Sequence, residues 1–137
     1  MQQQAGNRSI DPLFLPFFTG LGESKLRFPR CLSCGQFHWY PLPLCPHCRS
    51  ASIEWTEVAG TATVFTWTEV HHAFDRDFEL KPPYLVALIE FSDAPGIRLV
   101  TNIVGETATG IAIGQKISPQ FGERNGVPYV QFKPALS

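Results

Sequence analysis

Four cysteines, Cys31, Cys34, Cys45 and Cys48, stand as two C-x-x-C pairs with ten residues between them, and the chain has no others. Each pair can sit on a tight turn that aims both thiolates at one point. Two such turns make the tetrahedral four-sulfur shell that zinc accepts. Gly35, directly after Cys34, suits the positive φ that these turns often need, and Pro46 stiffens the second one. Two disulfides are the alternative, but that framework belongs to secreted chains. The opening MQQQAGNRSIDPLFLPFF does not read as a signal peptide or membrane span, because its short apolar run is broken by Pro16. A thioredoxin-like redox pair needs a βαβ setting, whereas the flanking LRFPR and RSASIEW read as hairpins. Four thiolates fill the coordination sphere, while a catalytic metal keeps one position open. The metal is therefore expected to hold structure, not to react. His38 and His47 lie in the same segment, and with four sulfurs available both are expected at the surface.

A second group of reactive residues sits in VHHAFDRDFELKPPY: His71, His72, Asp75, Asp77 and Glu79. A histidine and a carboxylate a few residues apart can form an acid-base pair. No serine or cysteine nucleophile stands in a recognisable setting, however, and no glycine-rich phosphate loop precedes a helix. Contact is the expected role, with Phe74, Phe78 and Tyr84 adding apolar area. Arg27, Arg30 and Arg49 flank the cysteine segment and have the donor geometry to meet a phosphate.

The elements that must carry these groups follow from composition and pattern. At 137 residues the chain suits one compact domain with a small appendage. Twelve Pro, eleven Gly and eleven Phe favour strands joined by turns. In the lead, Leu13, Phe14, Phe17, Phe18 and Leu21 recur at helical spacing. Asp11 can cap this segment and Pro12 can open it, with Gly20 and Gly22 ending it. Its phenylalanines are expected to pack on the same chain. The run FHWYPLPL between the cysteine pairs is too apolar for a free loop, and packs inward or against a partner. From Ile53 onward five strands are predicted: GTATVFTWTEV, PYLVALIEF, IRLVTNIV, QKISPQF and VPYVQF. Pro119 marks an edge or bulge, and Asn125-Gly126 marks the last hairpin. Three strands, a short crossing segment and two more strands match the five-stranded OB barrel. The expected division is 1–24 for the helical lead, 25–52 for the metal ribbon and 53–137 for the barrel. A net charge of -1 weakens a nucleic-acid role. Trp55, Phe65 and Trp67 could stack bases, but the basic residues of the barrel segment are scattered singly. The expectation is a soluble cytoplasmic protein.

Taken in order, DPLFLPFFTGL, LRFPRCLSCG, PLCPHC, GTATVFTWTEVHHAF, PPYLVALIEF, RLVTNIVG, IGQKI and VPYVQFKP cover almost the whole chain. In this arrangement the chain resembles the small bacterial and archaeal proteins that join a helical lead, a rubredoxin-like zinc ribbon and an acyl-CoA-associated OB-fold. The resemblance implies a mainly β protein with structural zinc, iron being the minor alternative. It also implies a subunit that is not catalytic alone. Its partners would be thiolase-fold enzymes (thiolases, acyltransferases or side-chain-cleaving aldolases) or hot-dog-fold enoyl-CoA hydratases, in a hetero-oligomer that encloses an acyl-CoA, with steroid or other lipid metabolism as the setting. On that reading His71, His72, Phe74, Phe78, Tyr84 and Arg30 are the candidate contacts to partner or acyl-CoA.

Overall fold

The chain enters on a capped turn. In the computed structural model, which describes residues 11–72, 82–105 and 110–135, the Asp11 carboxylate accepts the Leu13 N–H at 2.9 Å. Asp11 thereby caps a 3-10 turn, Pro12–Phe14, that runs directly into helix α1, Leu15–Gly22. Gly20 does not end the helix, contrary to the sequence expectation. A Cβ there would lie 3.0 Å from the Lys25 carbonyl oxygen, so glycine is needed for a close approach. The Glu23 and Lys25 N–H groups both donate to the Gly20 carbonyl, and the chain reverses at Ser24, whose φ is +59°.

Strand β1, Leu26–Cys31, follows at once and pairs antiparallel with β2, Ile53–Val58, with Leu26 opposite Val58 and Cys31 opposite Ile53. The cysteine segment is thus an insertion between two paired strands. The stretch from Ile53 to Val58 is the return strand of that ribbon, and the barrel strands begin at Ala62.

The barrel consists of β3 (Ala62–Val70), β4 (Tyr84–Phe91), β5 (Arg98–Ile103), β6 (Lys116–Arg124) and β7 (Val127–Pro134), closed in the order β3-β4-β5-β7-β6. That is the OB order, all antiparallel except where β5 meets β7 at Ile103 and Phe132. β3 and β6 close the ring through Ala62 opposite Ile117 and Thr63 opposite Lys116. Pro119 lies beyond that short seam, where its missing N–H leaves no ladder bond unmade. Asn125 and Gly126, at φ +53° and +80°, form the tight hairpin turn their sequence signals. β4 alternates half-buried and buried along its length, its buried side chains Leu85, Ala87, Ile89 and Phe91 filling the barrel.

Lead, ribbon and barrel share one apolar core. Phe28 of β1 is fully buried and touches Phe17 of α1, Trp39 of the cysteine segment and Phe91 of β4, with ring centroids 6.0, 5.3 and 5.2 Å away. Phe91 in turn meets Phe132 of β7 at 6.2 Å. The phenylalanine face of the lead is covered by its own chain, with Phe17 and Leu21 buried. No helix among the described residues is long and apolar enough to cross a membrane.

Candidate metal centre

β1 delivers Cys31 buried at its end, and the chain then makes the same turn twice. In the first turn Gly35 N–H donates to the Cys31 carbonyl at 2.8 Å and Cys31 N–H donates to the Gln36 carbonyl at 2.9 Å. In the second, Arg49 N–H donates to the Cys45 carbonyl at 2.8 Å and Cys45 N–H to the Ser50 carbonyl at 2.8 Å. Gly35 and Arg49 both sit at positive φ, +79° and +66°. Amide groups also point at the sulfurs, from Cys34 to Cys31 Sγ at 3.4 Å and from His47 to Cys45 Sγ at 3.3 Å. A Ser33 to Ser50 hydroxyl bond of 2.9 Å ties the two turns together. The glycine was legible in the sequence as a turn residue. Its counterpart Arg49 was not, because arginine carries no turn signal.

The four sulfurs lie within 4.8 Å of one another, with Cys31 Sγ 3.5 Å from Cys48 Sγ and Cys34 Sγ 3.7 Å from Cys45 Sγ. Those separations are far beyond the ~2.05 Å of a disulfide. They match the edge of about 3.8 Å that a tetrahedron with metal–sulfur bonds of about 2.3 Å requires. The donor set therefore fits a metal ion held by four thiolates. The electrostatics of the four sulfurs argue for the same occupant. The Cys34 backbone N–H, helped by the Cys48 thiol, holds Cys31 down to about 6 against the opposing effect of burial. At Cys48 the Ser50 backbone pulls the other way, but the neighbouring Cys31 sulfur and desolvation together push its thiol up to about 12. Cys31 ionises readily while Cys48 resists ionising beside it, a conflict that a bound cation removes. With four sulfurs as ligands no coordination position is left for substrate.

His47 is exposed as expected, but His38 is not: it is only 5 % exposed, a correction to the surface assignment. The cause is a strand-like continuation past the first turn. Phe37 bridges Arg30, and His38 N–H donates to the Pro29 carbonyl at 3.1 Å, which turns the next side chain inward. Neither ring nitrogen has a hydrogen-bond partner among the described residues. Burial, with His47 nearby, lowers its pKa, so the ring is neutral. Trp39 then anchors the segment, its ring 4.8 Å from Phe17, 5.8 Å from Phe14 and 6.4 Å from Trp55.

The candidate contact residues fall in two separate places. His71, exposed just after β3, pairs with Glu69 at 2.9 Å; His72 follows it, and half-buried Tyr84 opens β4 opposite Val70. Phe74, Asp75, Asp77, Phe78 and Glu79 lie outside the described residues. Arg30 belongs to the ribbon instead. Its Nε donates to the Gly35 carbonyl at 3.0 Å and its guanidinium lies over the Phe37 ring. With Thr56, Glu57, Asp93 and Pro95 it lines a cleft of about 570 Å³ between ribbon and barrel. Sequence reasoning missed this cleft, since SDAPG reads only as a hairpin loop. The base-stacking candidates are largely occupied: Trp55 and Trp67 pack on the core, and the Arg98 guanidinium covers Phe65 at 3.9 Å while pairing with Glu90.

Residues 18–54 match the family described as ChsH2, rubredoxin-like zinc ribbon domain, and residues 55–122 match ChsH2, C-terminal OB-fold domain. A DUF35 domain-containing scaffold protein of Methanocaldococcus jannaschii is 31% identical over 113 residues, covering 77% of this chain and 78% of that protein. A probable enoyl-CoA hydratase alpha subunit of Thermomonospora curvata is 38% identical over 101 residues, 74% of this chain; the match spans only 30% of that subunit. Among solved structures, a chain of the Ltp2-ChsH2(DUF35) aldolase superposes with a TM-score of 0.83 at 32% identity, covering 95% of this chain and all of that one. The two family models follow one another along the chain in the order in which ribbon and barrel stand in the fold, and the chain belongs to the DUF35 family of ChsH2-type zinc-ribbon and OB-fold proteins.

Proposed function

We propose that this protein is a cytoplasmic, non-catalytic accessory subunit that binds and stabilises a thiolase-fold enzyme and helps enclose its acyl-CoA substrate. The observation that supports this reading is the centre itself: four cysteine sulfurs lie within 4.8 Å of one another, a donor set that would complete the shell of a structural zinc ion and leave that ion no open position for substrate. The similarity to a chain of the Ltp2-ChsH2(DUF35) aldolase, along that chain's whole length, supports an aldolase among the thiolase-fold partners that the family resemblance implies. Aldol chemistry on a lipid or steroid side chain is then the preferred setting.

In this reading His71, His72 and Tyr84, with Phe74 and Phe78 of the adjoining loop, meet the partner or the acyl group. Arg30 meets the anionic end of CoA at the ribbon cleft, on the general preference of arginine for phosphate. The second reading, a partner of a hot-dog-fold enoyl-CoA hydratase, is favoured by the 38% identity to a hydratase alpha subunit. Co-expression with the thiolase-like and hydratase-like proteins of the same organism, followed by size-exclusion chromatography and acyl-CoA assays with and without this chain, tests both. A stable complex whose turnover depends on this chain is expected, and the reaction it runs selects between them. Turnover by the lone chain would overturn the accessory reading.

A further inference from the structure

The exposed large apolar side chains are not spread evenly. Leu13 and Leu15 of the lead are 40% and 52% exposed, and Tyr40, Leu42 and Leu44 of the cysteine segment are 57%, 45% and 49% exposed. The two stretches meet where the Phe14 ring lies 5.8 Å from Trp39 and 6.1 Å from Tyr40. Neither Pro12 to Gly22 nor Phe37 to Leu44 contains a Lys, Arg, Asp or Glu, so the face they form is uncharged as well as apolar. Among the described residues the other exposed large apolar side chains are Leu32 in the first cysteine turn, Phe65 on β3, Val100 on β5 and Ile113. An apolar face of this kind is a place where another surface belongs.

We infer that this face, Leu13, Leu15, Tyr40, Leu42 and Leu44, is where the enzyme subunit docks, and that the metal holds it in shape. The inference rests on the accessory-subunit reading and deepens it. The enzyme subunit is the occupant for three reasons. A related chain matched over its whole length belongs to a two-component aldolase. The residues preceding Asp11, MQQQAGNRSI, are mostly polar and make a poor apolar cover. The absence of charge suits the desolvated centre of a subunit interface, where aromatic and aliphatic anchors supply most of the affinity.

The metal enters through the backbone. Among the described residues, Tyr40 to Leu44 make no backbone-to-backbone hydrogen bond. Trp39 pins this stretch on one side through its rings, and Cys45, one of the four ligands, pins it on the other. Removal of the metal frees that second anchor, and the side chains of the face lose their fixed spacing.

The test uses the full chain loaded with zinc, titrated calorimetrically against the thiolase-like or hydratase-like protein of the same organism with which it co-purifies. Leu15→Glu and Leu42→Glu are both at exposed positions, so metal content and thermal midpoint should stay at the wild-type values. Each is expected to raise Kd roughly tenfold or more, whereas Val100→Glu, equally exposed on the barrel, should leave it unchanged. The metal-free chain should weaken binding to a similar extent, with faster hydrogen exchange at the Cys45 and Arg49 amides, whose bonds close the second turn. Wild-type affinity in the two leucine variants, or an equal loss in Val100→Glu, overturns the docking face while leaving the accessory reading intact. So does a wild-type homodimer that Leu42→Glu splits without altering partner affinity. Undiminished binding by the metal-free chain overturns the metal's part. If the wild-type chain itself fails to associate, the accessory reading falls, and the inference with it.

Discussion

Arg49 holds in one turn the backbone conformation that Gly35 holds in the other, and only one of the two residues is suited to it. A side chain at positive φ costs about 1 kcal/mol relative to glycine. Arg49→Gly should therefore stabilise the metal-loaded protein by up to about 1 kcal/mol in denaturant titrations. Gly35→Ala, with no atom nearer than the Arg30 guanidinium to obstruct it, should cost about as much through backbone strain alone. Cys34→Ser acts on the ligand set and should bring metal content below one ion per chain by elemental analysis, with a lowered thermal midpoint. His38 supplies a pH dependence. Burial, with His47 nearby, holds its pKa in the fold below the ordinary histidine value of about 6.5, so the unfolded chain takes up the proton first. Stability from this residue is complete above that value and is lost as the pH falls through the lowered pKa of the folded state. A His38→Phe variant should show a flatter decline than wild type in chemical denaturation between neutral and mildly acidic pH, isolating this effect from metal release by the cysteines.

The β6–β7 hairpin illustrates a constraint between paired strands. A Cβ at Gly122 would fall 2.6 Å from the Tyr129 ring opposite it, and that ring also stacks with the Arg124 guanidinium at 4.7 Å. Gly122→Ala should destabilise by about 1–3 kcal/mol, and the loss should shrink when Tyr129→Ala is added, since the two changes share one contact. The elements themselves were largely legible. Turn residues and alternating apolar runs marked all five barrel strands, and the cysteine spacing marked the metal site. What escaped was set by contacts distant in sequence or by backbone geometry. Gly20 looks like a helix breaker until the Lys25 carbonyl is seen beside it. Ile53–Val58 looks like the start of the barrel until it pairs with β1. His38 looks like a loop residue until its N–H reaches Pro29.

At the scale of the molecule, the shared core makes ribbon and barrel one folding unit. Phe28→Ala removes the ring that links α1, Trp39 and Phe91, and should cost about 3–5 kcal/mol. Unfolding of a Trp67→Phe chain should remain a single transition, with tryptophan fluorescence, which then reports the ribbon through Trp39 and Trp55, coinciding with circular dichroism of the strands. Two separated transitions would mean that the core is not shared. No run of neighbouring residues announced this union, because Phe28, Phe91 and Phe132 meet from three distant parts of the chain.

Gly60 stands at the joint between β2 and β3, where a Cβ would come within 3.2 Å of Pro119 and 3.6 Å of Leu26. Beside it, the Ala59 N–H is fastened to the Asp93 carboxylate at 2.7 Å. A joint so closely filled has no room to swing. For the accessory subunit proposed above, such a joint would act as a jig: a partner that grips the ribbon would also fix the direction in which the barrel faces, so that alignment rather than movement passes from one end to the other.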